Sequence, residues 1–326
     1  MKKYMILIIL AAISCVGVPT ALIKEPATLP DTKTETTLSE TLPATTNPDT
    51  ISVFRTSGNE TVNMSLFEYV CGSVAAEMPL AYHEEALKAQ AVACYTNALR
   101  LKSSDNNTQK GDISDDIGVH QGYIDETQRK EKWGNDFEKY ETKLQKIVSS
   151  VENEALFYKG DLCVAAFHAI SCGKTENSEN IWGTRVPYLQ SVKSDGDKLS
   201  PQYATTLSFD KADFIKCIEQ LDIETADIKN LKNCIKVHEK SPSGTVLSAT
   251  ICGEKFTGEQ VRKAFSLRSP VFTVKTTADT VTFSVSGYGH GVGLSQYGSD
   301  YLARQGLTYK EILEHYYTGT EVKIFS

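Results

Sequence analysis

The stretch Leu66 to Leu99, LFEYVCGSVAAEMPLAYHEEALKAQAVACYTNAL, decides the reading of this chain. Leu66, Tyr69, Val70, Val74 and Glu77 recur at three- and four-residue steps and so share one face of a first helix. Pro79 cannot continue that helix and disfavours the α conformation at Met78, which places Glu77 in or near the last turn. A carboxylate there faces the negative end of the helix dipole, among Val74, Ala76, Met78 and Pro79. Dipole and desolvation both penalise the anion, so a raised pKa is expected. A carboxylic acid that keeps its proton near neutrality is what a general acid requires. The plainer alternative is a solvated glutamate that ends a helix and does nothing more. A second run, His83 to Lys102, is alanine-rich and sets Ala86, Ala89, Ala93 and Leu99 for tight helix packing.

Outward from this helical pair, the 326-residue chain has ample length for a core. Its net charge of −7 leaves no dominant basic surface, which argues against nucleic acid and suits a neutral or weakly charged polymer as partner. Lys2 and Lys3 precede an uncharged, mostly apolar run from Tyr4 to Ile23, long enough to span a bilayer. An uncleaved single-pass anchor over 1–23 is the first reading, with the body of the protein outside the cytoplasm. A cleaved signal peptide and lipidation at Cys15 are the alternatives. Residues 24–50 are rich in Thr, Pro and Glu and read as an extended tether. Without Cys15, seven cysteines remain and none forms a CxxC pair, so neither a disulfide scaffold nor a zinc ribbon is expected. Cys71 and Cys94 read as small core residues, and Cys217–Cys234 is the pairing worth testing.

The folded part, 51–326, opens with the alternation Ile51-Ser52-Val53-Phe54, an entering strand. An exposed polar loop is expected from Ser103 to Asp116, then an amphipathic helix over Phe137 to Val151. A hairpin follows, Leu156 to Tyr158 and Leu162 to Phe167 about a Lys159-Gly160-Asp161 turn. Helices are expected at Ala212–Leu221, Gln260–Phe265, Ser295–Gln305 and Tyr309–Tyr316. Strands are expected at Ile235–Val237, Val246–Cys252, Phe272–Thr276 and Val281–Val285. Mixed order without βαβ periodicity gives an α+β class, mixed helices and antiparallel strands, with no internal repeat.

Two further segments carry chemistry. Phe167-His168-Ala169-Ile170-Ser171-Cys172-Gly173-Lys174-Thr175-Glu176-Asn177 combines hydroxyls, an amide and an imidazole suited to hydrogen-bonding a sugar, and Trp182 and Tyr188 could stack on pyranose rings. The alternative makes His168 a satisfied strand histidine and Trp182 a core residue. Near the end, Gly287, Gly289, Gly291 and Gly293 alternate with Tyr288, His290 and Val292. If extended, this run presents one bare glycine face to another backbone or a polymer, with His290 on the opposite side. A glycine-rich packing corner is the alternative.

These three blocks, in this order, resemble the stage II sporulation protein D family. Its EYV-x-G-V-x-A-A-E-M-P segment, followed by EALKAQAVAARTYAL, is matched by Glu68-Tyr69-Val70, Gly72, Ala75-Ala76-Glu77-Met78-Pro79 and Glu85 to Ala93. Its FHSTSGGRTENSEDVWG and VPYL block is matched from Phe167 to Leu189, and its GHGVGMSQYGA and EILxHYY ending from Gly289 to Tyr317. The resemblance implies one two-lobed extracytoplasmic domain with a glycan groove. It also implies a lytic transglycosylase that cuts the bond from N-acetylmuramic acid to N-acetylglucosamine in peptidoglycan strands free of stem peptides, during septal wall remodelling. Glu77 is the implied single catalytic acid. His168, Ser171, Thr175, Glu176 and Tyr188 are implied to line or brace the groove, and His120 and His290 are grouped with them. No cofactor is implied. The implied partners are a sporulation amidase/endopeptidase and a membrane scaffold.

Three departures stand out. Tyr95 replaces a family Arg, Gln190 a family Lys or Arg, and His120 stands without the two cysteines that make a zinc-like site in some members, so no structural zinc is expected. The rival reading is a non-enzymatic glycan-binding module of the kind that modifies a cell-wall amidase.

Overall fold

The computed structural model describes residues 49–103, 110–221, 223–224 and 228–325. The chain enters on β1 (Thr50–Arg55) and returns antiparallel as β2 (Glu60–Ser65). Helix α1 (Leu66–Glu77) begins where the Ser65 hydroxyl accepts the Glu68 N–H. It ends as the sequence requires, with Met78 extended at φ −126° and ψ 141° ahead of Pro79. Helix α2 (Glu84–Lys102) starts on His83, whose Nδ1 accepts the Glu85 N–H. The small residues Ala86, Ala89 and Ala93 are fully buried and let α2 sit against its neighbours as the core's central helix.

The expected Ser103–Asp116 loop is not all surface. It contributes β3 (Ile113–Ser114), parallel to β1, with Ile113 wholly buried. Two elements without a strong sequence signature follow or flank it: β2, and α3 (Glu126–Trp133), which opens on an Asp125/Gln128 capping box. Helix α4 (Phe137–Ser150) buries Leu144, Ile147 and Val148 as its periodicity predicts. The hairpin of β4 (Glu154–Tyr158) and β5 (Asp161–Leu162) stops at Leu162, shorter than expected. Val164 and Ala165 leave it to hydrogen-bond Tyr188 and Asn97, and β6 (Phe167–His168) pairs elsewhere.

After the short α5 (Ser178–Trp182), the chain builds two small sheets: β7 (Ala204–Asp210), α6 (Lys211–Ile218), β8 (Ile235–Lys240), β9 (Val246–Ile251), β10 (Glu254–Phe256), α7 (Gly258–Ala264), β11 (Phe272–Thr276) and β12 (Thr280–Ser286). Their orders are β10-β9-β8 and β11-β12-β7, antiparallel throughout. The chain then returns through β13 (Leu294–Ser295), parallel to β6, then α8 (Gln296–Arg304), α9 (Tyr309–Tyr316) and β14 (Glu321–Ile324), which closes on β4. The class is α+β, with two short parallel pairings beside the antiparallel ones.

Buried apolar side chains form two clusters. One draws on residues from Ile51 to Leu189 and from Val292 to Tyr317, the other on Phe214 to Val285. A buried hydrogen bond joins the β8–β9 turn to the 167–189 segment, from Ser241 Oγ to Glu176 Oε2 at 2.5 Å.

Two expectations are corrected. The glycine run is not extended: Gly287, Gly289, Gly291 and Gly293 have φ of +80°, +112°, +84° and +73°. A Cβ on Gly293 would lie 2.1 Å from the Ala166 carbonyl oxygen, so the close approach there is by the chain's own backbone. The membrane anchor is withdrawn: no helix among the described residues is long and apolar enough to cross a membrane. Residues 1–23, on which that expectation rested, Cys15 and nearly all of the 24–50 tether lie outside the described residues. The seven described cysteines, Cys217 and Cys234 among them, are all thiols.

Gly72 permits the packing that brings the 120–124 segment onto α1. A Cβ there would meet Tyr123 Cε2 at 2.3 Å, and Tyr123 stacks on Tyr69 with 5.6 Å between centroids and 4° between planes. Gly72→Ala is therefore expected to destabilise the fold by about 1–3 kcal/mol, measured by urea unfolding, because the displaced ring is backed by buried Tyr69.

Candidate functional site

The site is built from the joint between α1 and α2. Glu77 is only 4 % exposed, and its Oε1 accepts the Gly122 N–H at 2.6 Å. Among the described residues its Oε2 has no hydrogen-bond partner, and it is not one of the fully enclosed polar atoms. Burial pushes the Glu77 carboxyl up to about 7, against the Gly122 N–H and the Lys132 ammonium, which both favour the anion. Lys132 reaches over from α3 and donates to the Ala75 carbonyl at 2.7 Å, in the last turn of α1. No other carboxylate is among the groups that shift Glu77.

A row of buried amides holds this arrangement. Asn97 Nδ2 donates to Gln121 Oε1 at 3.3 Å and to the Ala165 carbonyl at 3.0 Å, while its Oδ1 accepts the Ala165 N–H. Gln121 Nε2 donates to the Cys94 carbonyl, and Gln90 bridges Cys94 Sγ and Gln296 Nε2. Gln121 is thus fixed one residue before Gly122, and Gly122 in turn fixes Glu77. These amides leave little local trace in the sequence. The available signal was Gln90 and Asn97, seven residues apart on one face of an otherwise alanine-rich helix.

The remaining expected residues are placed as follows. Ser171 Oγ donates to Asp197 Oδ2 at 2.5 Å, and Ser295 Oγ donates to Asp197 Oδ1. Burial raises Asp197 to about 6 against these hydrogen bonds, and both its oxygens are occupied. Thr175 is fully buried and accepts the Val192 N–H. Glu176 Oε1 accepts from Asn177 N–H and Asn180 Nδ2, and its other oxygen takes Ser241. Tyr188 accepts the Val164 N–H at 2.7 Å and packs on Tyr158. His120 Nδ1 accepts the Ser114 N–H, which leaves the ring proton on Nε2.

His168 and His290 are 2 % and 3 % exposed, their rings 5.8 Å apart, with Trp182 against His290 at 5.5 Å. Val292 sets both tautomers. Its carbonyl accepts from His168 Nδ1, and its N–H donates to His290 Nδ1, so His168 carries a bare acceptor Nε2 and His290 a bare donor Nε2–H. Burial lowers His168 to about 4 and lowers His290 well below the usual histidine value, so both rings are neutral at pH 7.

The two replaced cations divide differently. Tyr95 donates to Asn153 Oδ1 at 2.9 Å and lines a cavity of about 200 Å³ with Leu66, Phe67 and Val70; Glu77 is not part of that lining. Gln190 donates to the Val186 carbonyl beside Thr175.

The model of the stage II sporulation protein family matches residues 55–158, the segment that carries α1, α2 and Glu77. The chain is 38% identical over 308 residues to stage II sporulation protein D of Bacillus subtilis (strain 168), covering 93% of this chain and 86% of that one. It is 37% identical over 299 residues to its counterpart in Bacillus amyloliquefaciens, covering 90% and 85%. The chain belongs to the stage II sporulation protein D family. Like that family it is a sporulation protein, and its Glu77 motif lies inside the matched segment. A more distant relative is the amidase enhancer of Bacillus subtilis (strain 168), 27% identical over 307 residues, covering 76% of this chain and 39% of that protein.

Because the folded state holds Glu77's proton more tightly than the unfolded state, stability present below pH 4.5 is lost as pH rises through about 7. Glu77→Gln removes that loss and keeps an oxygen for Gly122. Its stability relative to the parent, from urea unfolding, is expected to rise by about 3 kcal/mol between pH 4.5 and pH 8. A difference that stays flat with pH would show that Glu77 is not raised.

Proposed function

We propose that this family member is a peptidoglycan lytic transglycosylase with Glu77 as its only catalytic carboxyl group. The observation that carries this reading is a buried carboxylic acid with one oxygen held by Gly122 and the other unpartnered among the described residues, and burial pushes its pKa up to about 7. Glu77 donates its proton to the bridging oxygen as the bond from muramic acid C1 to that oxygen breaks. The carboxylate then takes the proton of the muramic acid's own C6 hydroxyl as that oxygen closes on C1. The product carries a 1,6-anhydro ring, no water is consumed, and Glu77 ends protonated. A hydrolytic pair would need a second carboxylate at the bond. Asp197, the other raised acid, has both oxygens committed to Ser171 and Ser295. In this reading His120 and Tyr188 flank a glycan groove that runs from Glu77, and Ser171, Thr175, Glu176, His168 and His290 brace its wall.

The amidase enhancer relative favours a second reading, a glycan-binding module without chemistry. The two separate in one assay, with glycan strands with and without stem peptides incubated with the purified chain and the products read by mass spectrometry. The transglycosylase yields anhydro-ended fragments that Glu77→Gln abolishes, and its rate falls as pH rises through about 7, where the acid form is lost. Binding without fragments supports the module, and reducing ends without the anhydro ring support hydrolysis.

A further inference from the structure

The row of contacts that fixes Glu77 continues along α2 to a guanidinium without a partner. Gln121, gripped by Asn97, has Gly122 on one side and His120 on the other. Asn97 also clamps Ala165, next to Val164, whose N–H holds the Tyr188 hydroxyl. Arg100 lies three residues beyond Asn97, on the same face of α2. These contacts draw His120 and Tyr188 toward the Arg100 end of α2, within reach of its charge, which opposes protonation of His120 and favours the Tyr188 phenolate.

Arg100 is half-buried, its Nε is fully enclosed without a hydrogen bond, and it forms no ion pair among the described residues. A guanidinium cannot escape desolvation by losing its proton, so a withdrawn and unpaired one weakens the fold. None of the acidic residues among the described residues forms an ion pair with it. A cation kept at that cost is matched to an anion from outside. Its planar fork fits a carboxylate through two parallel hydrogen bonds. His120 adds a donor at Nε2, because its Nδ1 is taken by Ser114.

We propose that Arg100, with His120 and Tyr188 around it, is an oxyanion subsite that takes a carboxylate of the glycan strand, displaced from Glu77 along the same groove. The proposal rests on the glycan reading above. It names the substrate feature recognised there, the lactyl carboxylate that muramic acid bears once its stem peptide is gone. Arg100 is a specificity residue and takes no part in proton transfer.

The test measures binding of the full-length chain to two probes: peptide-free glycan strands with free carboxylates, and the same strands with those carboxylates capped as methylamides. The parent protein is expected to bind the free-carboxylate strands about tenfold more tightly, the scale of one or two partly screened charge-assisted hydrogen bonds. Arg100→Gln should bind both probes at the capped-strand level, and Arg100→Lys should keep part of the preference. Arg100→Met should melt no lower than the parent, since it removes an unpaired charge. A parent indifferent to capping overturns the subsite while leaving the glycan reading intact. Arg100→Gln that melts lower and weakens both probes equally assigns Arg100 a structural role and also overturns it. A parent that binds neither probe overturns the glycan reading and this inference together.

Discussion

The hydrogen bond from Gly122 N–H to Glu77 Oε1 is the contact on which the site depends. It lets a carboxyl group stay out of water without leaving both oxygens orphaned, a cost a buried acid otherwise cannot carry. Desolvation raises its pKa; the single N–H and the Lys132 charge pull it back, and the balance falls near 7. A second donor on Oε2 would favour the anion further and occupy the oxygen that meets the substrate in the proposed reaction. The remainder of the first cluster serves that geometry. Pro79 ends α1 at Glu77, Gly72 lets Tyr123 lie flat on Tyr69, and Asn97 holds Gln121.

Four buried groups beyond Glu77, namely Asp197, Glu176, His168 and His290, are oriented by neutral partners, whereas buried Glu141 is held by the Arg129 guanidinium. Asp197 is held by serines, Glu176 by an amide and Ser241, and His168 and His290 by the two polar groups of Val292. Such networks define geometry tightly because any rotation leaves a buried group unsatisfied. Arg129 has its carboxylate in Glu141, while Arg100 has an enclosed Nε without a hydrogen bond. Two of the four left-handed glycines, Gly287 and Gly293, let the backbone lie against Ile170 and Ala166 where a Cβ would collide. Glu176 and Ser241 link the 167–189 segment to the β8–β9 turn of the sheet-rich insert.

Several elements were legible from local pattern. The α1 boundary at Glu77, α2 from His83's cap, α4, α8 and α9 each carry a 3.6-residue apolar period with a cap or a breaker at the end. The elements that were not legible lack such a pattern. Strand β2, ETVNMS, buries only Met64, and β3 is two residues long inside a polar loop. Their state comes from pairing with β1, a long-range event that leaves little local trace. The glycine run misled because a period of two looks the same whether alternate residues are extended or left-handed. Glycine alone among residues accepts both.

By itself the sequence determined the helical pair, its break at Pro79 and therefore the position of Glu77, since proline's ring and the apolar period act within one turn of the chain. The three family blocks also stand in the linear order of residues. Only the tertiary structure decided that Gly122 meets Glu77, that His168 and His290 share Val292, that Tyr95 faces a separate cavity, and that Arg100 has no counter-charge among the described residues. Those facts depend on which segments, dozens to more than a hundred residues apart, are withdrawn from water together. Burial and its electrostatic consequences belong to the packed whole and to no stretch of sequence within it.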